Sequence, residues 1–400
     1  MRKILITTML ALLVSGLMQA QKVYLCKDGR YTTLSITDGL SVDLTQGYDS
    51  ITFAKPQMGY DVTIAYTGTT ATVTIPDELA DEVVCTSGNS SDVVITNSNT
   101  YNEVTYKVSG SSAAGSLTIT QNYKMTLQLN GVNLTSTTGA AVNIQCGKRI
   151  DVIMQNGSTN TFADYAEGTH RACFYAKGHV ELTGAGTLNV AGNCNHAIAT
   201  KEYFQVKKSV TAINILKAAN DAIHVGQYFQ MGGGTLTIDQ NTANDGIQVE
   251  YKTDDNDQII EDEENTGLAI VKDGTLNITL QGNQDAKGIK AEGGIDISGG
   301  TFLINAVSKG SRGMQTDGNM TISEDNAPTD IKIYAKGGPC TLPEDANDPH
   351  KCTGIKVDGN LTINAGTITV MNTGSKSKGI KVKGAYTKKG GTVNAVIDNK

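Results

Sequence analysis

Two short segments, Asn220-Asp221-Ala222-Ile223 and Asn244-Asp245-Gly246-Ile247, repeat the same chemistry 24 residues apart. If the fold sets them side by side, their carboxylates repel unless a cation lies between them. Asn220 and Asn244 add amide oxygens, and Glu250 opens the acidic run EYKTDDNDQIIEDEENTG that ends at Gly267. Hard oxygen donors from several turns suit Ca²⁺, which takes about 6–8 oxygens. The expected metal set is therefore Asp221, Asp245, Asn220, Asn244 and Glu250. Turn formation is the plainer use of Asn-Asp-Gly and Asn-Asp-Ala, and stands beside it. Beyond this cluster the sign of the charge reverses. Residues 239–264 hold ten acids against one Lys, whereas residues 350–400 hold nine Lys against two Asp. Lys287, Lys290, Arg312 and Lys356, with His224, are the expected contacts for an anionic polysaccharide, because Arg and Lys pair with carboxylates. A solvated basic end is the alternative. His196 and His224 would meet on neighbouring turns, although surface histidines are the expected reading. No GxSxG, HExxH or P-loop pattern is present.

These residues come together only if the chain is periodic, and it is. The segments NHAIATKEYFQV, NDAIHVGQYFQM, NDGIQVE, AKGIKAEGGIDI, SRGMQTDGNMTI, CTGIKVDGNLTI and SKGIKVKGAYTK align on Ile198, Ile223, Ile247, Ile289, Met314, Ile355 and Ile380. Successive spacings are 25, 24, 42, 25, 41 and 25. Phe174 and Val142 extend the series upstream, for eight or nine coils in all. The two long steps imply insertions at residues 250–267 and 324–351. Within a unit, apolar residues alternate in runs too short for helices, which indicates strands with one buried face. Gly-Gly and Asp-Gly-Asn between them supply bends. Such a unit cannot bury its own apolar face, so successive units must stack. The expected fold is all-β: a right-handed parallel β-helix with about 24 residues per coil. Tyr203 and Tyr228 share a column and are expected to form a packed ladder.

The N-terminus reads as a signal peptide, residues 1–20: Arg2 and Lys3, an apolar stretch from Ile4 to Leu17, then Met18-Gln19-Ala20. The apolar run is short for a membrane span, which needs about 20 residues. A secreted, cell-surface or periplasmic protein without membrane insertion is expected. Residues 21–58 read as a small β module, and residues 59–400 as the solenoid. Seven cysteines include Cys340 and Cys352, which bracket one loop and could close it as a disulfide. The formal net charge of -7 argues against nucleic acid as a partner. The 44 glycines lack a collagen period.

LNGVNLTSTTGAAVNIQ, IDVIMQNGSTNTFAD, GHVELTGAGTLNVAGNCNHAIATKE, ANDAIHVG and ANDGIQVE occur in this order. In this order they resemble a family of secreted bacterial carbohydrate-binding proteins with a pectate-lyase-like right-handed parallel β-helix. The resemblance runs from about Tyr60 to Asn399. It implies calcium on the coils and affinity for plant cell-wall polysaccharide, including acidic sugars. Val23 to Phe53 resembles the leader module of many secreted Bacteroidetes proteins. The chain is also similar to calcium-dependent β-helix polysaccharide lyases. That likeness implies Asp221 and Asp245 as metal ligands and Lys287 as the base that takes the proton α to a uronate carboxyl. NDGIQVE offers a single Asp where such lyases carry several. Three functions follow: a non-catalytic, calcium-dependent polysaccharide binder, a uronan lyase, and an adhesive or structural surface protein.

Overall fold

The computed structural model describes residues 22–27, 30–35, 50–52, 60–238, 244–343, 347 and 349–399. The expected signal peptide lies outside the described residues. The chain divides into two compact units, Met1–Gly59 and Tyr60–Lys400. In the first, Lys22–Lys27 pairs antiparallel with both Arg30–Ser35 and Ser50–Thr52. Among the described residues no helix is long and apolar enough to cross a membrane.

The second unit is a parallel β-helix with three strand-bearing faces. One coil runs through Ile223–Gly226, Tyr228–Met231 and Thr235–Ile238 before the chain climbs to Ile247–Glu250. Each strand then pairs in parallel with its counterpart one coil on. Every anchor of the sequence alignment stacks on the next: Val142, Phe174, Ile198, Ile223, Ile247, Ile289, Met314, Ile355 and Ile380. They point inward, and each is at most 3% exposed. Parallel neighbours lie about 4.8 Å apart, so one continuous apolar column replaces the closed core that no single coil can build. The residue before the anchor explains part of the motif. It is Ala197 and Ala222 early on, then Gly288 and Gly313. A methyl group at Gly288 would sit 2.5 Å from the Gly313 carbonyl oxygen, and one at Gly313 would sit 2.6 Å from that of Gly354. The backbones of those coils pack too closely for a side chain.

The long face is a 13-stranded sheet from Val83–Cys85 to Ile397–Asn399, so the solenoid exceeds the eight or nine coils expected. The extra strands are Val83–Cys85, Asp92–Asn97 and Ser116–Gln121 upstream, where the Gly-Ile signature is missing, and Ile397–Asn399 downstream. The N-terminal end is closed by antiparallel pairing. Asp61–Thr67 pairs with Ala71–Thr74, Val83–Cys85 with Asp92–Asn97, and Leu79 between them is fully buried. This blunts an edge that would otherwise recruit another chain. The second insertion is shorter than expected. Thr329–Ala335 is a regular strand stacked between Gly300–Ala306 and Thr367–Asn372, and the extra residues begin at 336. The anticipated disulfide is not formed: Cys340 and Cys352 are both free. Cys352 contacts the Ser311 hydroxyl and the Ala306 carbonyl, while Cys340 sits beside Asp285 and His350.

Candidate functional site

The outer surface of the 13-stranded sheet is where the predicted chemistry gathers. Residues flanking each inward anchor point outward, because side chains alternate along a strand. The resulting column runs Asn143, Tyr175, Ala199, His224, Gln248, Lys290, Gln315, Lys356 and Lys381. The insertion after Ile247–Glu250 and the one before Thr353–Val357 leave from opposite ends of the strands, so they flank this face on both edges. The first is pinned by Asn265. Its side-chain amide donates to the Lys252 carbonyl at 2.9 Å and the Ile260 carbonyl at 2.6 Å, and its oxygen accepts from Lys252 N at 2.7 Å.

Near the N-terminal end of this face lies a cavity of about 370 Å³, lined by Asn143, Gln145, His170, Arg171, Tyr175, Lys177 and Lys201, among others. Tyr175 is 8% exposed and forms part of its wall. Among the described residues no carboxylate pairs with Arg171, Lys177 or Lys201. His170 is held by Asp164, with 2.6 Å between Nε2 and Oδ2. Three such cations beside an aromatic ring have the chemistry to pair with an anionic group.

Next along the face, Asp221 and Asp245 stack as expected. Asp221 Oδ1 accepts from Asn244 Nδ2 at 2.8 Å and from Asp245 N at 3.1 Å. Asp245 Oδ1 in turn accepts from Lys287 N at 2.7 Å. Each carboxylate thus caps the backbone of the following coil. Burial raises the Asp245 carboxyl to about 6, with the Asp221 charge adding to the rise. Burial also opposes ionisation of Asp221, but the adjoining imidazoles of His196 and His224 outweigh it and hold that carboxyl below the usual range. The histidines are therefore not simple surface residues. Their rings lie 4.4 Å apart, and both Nδ1 atoms face Asp221 Oδ2, at 3.2 Å for His196 and 3.1 Å for His224. Glu250 hydrogen-bonds Gln248 and places its other oxygen 3.5 Å from His224 Nε2. Of the five residues expected to bind calcium, Asp221, Asp245, Asn244 and Glu250 lie on neighbouring coils and have protein partners in this structure. One oxygen of each Asp is taken by a backbone amide, Asn244 presents its nitrogen, and imidazoles face the remaining Asp221 oxygen.

One coil beyond Asp245, Asp285 gathers the cations. Its Oδ1 meets Arg312 Nη1 at 2.9 Å and His350 Nδ1 at 2.6 Å, and its Oδ2 meets Lys287 Nζ at 2.8 Å. Burial works against the Asp285 charge, yet Lys287, Arg312 and His350 outweigh it and lower the carboxyl. Arg312 is only 6% exposed. Outward of this node runs an alternating ladder, Gln248, Lys290, Gln315, Lys356. Gln315 Oε1 is buried with no hydrogen-bond partner. Burial lowers the Lys356 ammonium, whose Nζ is 3.5 Å from Asp358.

A family model described as "Carbohydrate-binding domain-containing protein" matches residues 89–398. The chain belongs to this carbohydrate-binding domain family. A carbohydrate-binding domain-containing protein of Acetivibrio thermocellus is 26% identical over 96 residues, which is 22% of this chain and 34% of the relative. The chain thus spans about a third of that relative's length. Among solved structures, the gadolinium derivative of a polysaccharide lyase-like protein from C. thermocellum superposes with a TM-score of 0.52 at 20% identity. The match covers 67% of this chain and 98% of that one, and it supports the pectate-lyase-like fold.

The sequence-derived contacts fall into two groups by strand register. Lys290, Lys356 and His224 stand on one outward column. Lys287 and Arg312 stand on the next, tied to Asp285. Asp285 itself, and the Arg171–Lys177–Lys201 cavity, were missed. Lys177 and Lys201 are 24 residues apart, the same step as Phe174 to Ile198, so the repeat carried the signal. Tyr203 and Tyr228 stack at 4.7 Å between ring centres, with His179 on the other side of Tyr203 at 4.5 Å. They form a ladder on a different face.

Proposed function

We propose that the solvent face of the 13-stranded sheet binds an acidic polysaccharide lengthwise, without cleaving it, and seats a uronate carboxylate in the Arg171–Lys177–Lys201 cavity. One observation carries this reading: three cations line a cavity beside Tyr175, and none is paired with a carboxylate among the described residues. The Gln/Lys ladder extends the same surface. Its donors recur about every 4.8 Å along the axis, and the unsatisfied Gln315 oxygen is matched to a sugar hydroxyl. In this reading side-chain cations anchor the ligand, and calcium is not required. Export through the N-terminal signal, which lies outside the described residues, would place the protein where such polymers occur.

The test is calorimetry with polygalacturonate and with the same polymer after carboxyl reduction. The intact polymer is expected to bind at least ~10-fold more tightly, with affinity falling as salt rises. Lys177→Ala with Lys201→Ala should lower affinity at least ~10-fold, and chelation of calcium should leave it unchanged. Equal binding of the reduced polymer would defeat the acidic-sugar assignment. Silence across all glycans would favour an adhesive role. In the lyase reading Lys287, the expected base, is held by Asp285 at 2.8 Å, whereas Lys356 stands on the outward column with a longer contact, 3.5 Å, to Asp358. Accumulation of unsaturated uronate in the ultraviolet, lost in Lys356→Ala, would establish it over simple binding.

A further inference from the structure

We propose that His196, Asp221 and His224 form a site for one divalent transition-metal ion of the zinc, cobalt or nickel type. This goes beyond the polysaccharide reading and does not depend on it. The three donors are His196 Nδ1, His224 Nδ1 and Asp221 Oδ2, brought together from neighbouring coils. Two imidazoles and one carboxylate make a borderline donor set that suits these metals rather than calcium.

All three donor atoms lie within 4.8 Å of one another, and two of the separations match a tetrahedral site. Ligands about 2.0–2.1 Å from a tetrahedral ion lie roughly 3.3 Å from one another. Asp221 Oδ2 is 3.2 Å from His196 Nδ1 and 3.1 Å from His224 Nδ1. A hydrogen bond accounts for only one of these approaches. The His224 contact has hydrogen-bond geometry, whereas His196 Nδ1 is buried and has no hydrogen-bond partner. A buried nitrogen aimed at a carboxylate oxygen already bonded to a second imidazole is an orphan that a shared cation satisfies.

The surroundings are those of an outer ligand shell. Asp221 Oδ1 is held by Asn244 Nδ2 and Asp245 N, which turns Oδ2 alone toward the imidazoles. Glu250 Oε2 faces His224 Nε2 at 3.5 Å. A proton on that nitrogen leaves the Nδ1 lone pair for the metal, the arrangement in which carboxylates support ligating histidines. Three protein donors leave a fourth position open for water or for a ligand lying along the sheet.

The experiment uses the full chain, stripped of metal with chelator and titrated with Co²⁺ and then Zn²⁺. One equivalent of Co²⁺ should give the visible bands of a tetrahedral N/O site, and Zn²⁺ should displace it. Asp221→Asn, which preserves the packing, and His224→Gln should each weaken binding at least ~100-fold, and Glu250→Gln should weaken it about 10-fold. Cys340→Ser should change nothing, because the Asp285–Cys340–His350 group is already engaged by Lys287 and Arg312. A thiolate-to-cobalt charge-transfer band, or affinity unaltered in Asp221→Asn, would overturn the assignment. Nitrogen chemical shifts of the wild-type imidazoles supply a measurement that needs no variant. Zn²⁺ should move the His196 and His224 ring signals alone, and their immobility would equally overturn the site. No sugar is present in these measurements, so their failure leaves the polysaccharide reading untouched.

Discussion

Two stretches of one sheet face carry similar cations and hold them in opposite ways. Around Tyr175, Arg171, Lys177 and Lys201 line a cavity and meet no carboxylate among the described residues. Four coils on from Tyr175, Lys287, Arg312 and His350 all converge on Asp285. In the sequence the second stretch looks like the stronger anion receptor. In the structure its cations share one carboxylate and are largely buried, so the node organises the solenoid and the loop that brings in His350. Charge stacked in a column therefore does not measure capacity for a ligand. What matters is whether a carboxylate from a neighbouring bend has already reached the cations.

The largest effect that would break this contrast is on stability. Asp285→Ala leaves Arg312 and Lys287 near-buried and unpaired, and removing one partner from a buried ion pair costs about 3–5 kcal/mol. Urea denaturation should show a loss of this order. The double change Asp285→Leu with Arg312→Met should cost clearly less than the sum of its parts, because the groups form one network. The same assay on Arg171→Ala, Lys177→Ala or Lys201→Ala should move stability by no more than about 0.5 kcal/mol. If Asp285→Ala is as mild as the lysine changes, the node is not structural and the contrast fails.

The second effect is acid lability. The folded-state carboxyl of Asp285 lies below its unfolded value. Its stabilisation is therefore fully present at neutral pH and is lost as pH falls below about 3.9, the ordinary Asp value, through the lowered folded one. Wild-type melting temperature should drop across that acid window. The Asp285→Asn protein should begin lower and show a shallower acid limb. Parallel acid limbs in the two proteins would remove Asp285 from the account.

The fold was legible because the apolar anchors must face inward in every coil, and a step of 24 or 25 residues betrays that requirement. The stacking of Ile198 through Ile380 followed directly. The columns beside the anchors were legible for the same reason, which is how Asp221, Asp245, Lys290 and Lys356 were placed on one face. Pairing within that face was not. Asp285 stands in a bend with a left-handed φ of 64°, outside any repeated column, and His350 arrives from an insertion that has no period. Their meeting depends on loop geometry, which alternation and spacing do not encode. The histidine pair lay between these cases. The positions of His196 and His224 followed from register, but their shared oxygen depended on Asn244 and Asp245 N taking the other side of Asp221.

The smallest expected effect sharpens the cavity end of the comparison. Glu202 follows Lys201 directly, and it is the nearest acid in sequence to the unpaired cations. It is drawn away by two partners, Lys252 Nζ at 2.6 Å and His179 Nδ1 at 2.8 Å. Lys252 belongs to the acidic insertion, so that loop keeps a competing carboxylate occupied. Lys252→Ala removes a partly exposed ion pair, worth no more than about 1 kcal/mol to stability. It leaves Glu202 with His179 alone and raises the negative potential near Lys201. Affinity for polygalacturonate should fall about 2–5-fold at low salt, as expected for one charge acting at a distance, and the difference should vanish at high salt. Glu202→Gln combined with Lys252→Ala should restore the affinity. A loss that persists in the double variant would mean that Lys252 contacts the polymer itself, and the insertion would then count as part of the binding face rather than its border.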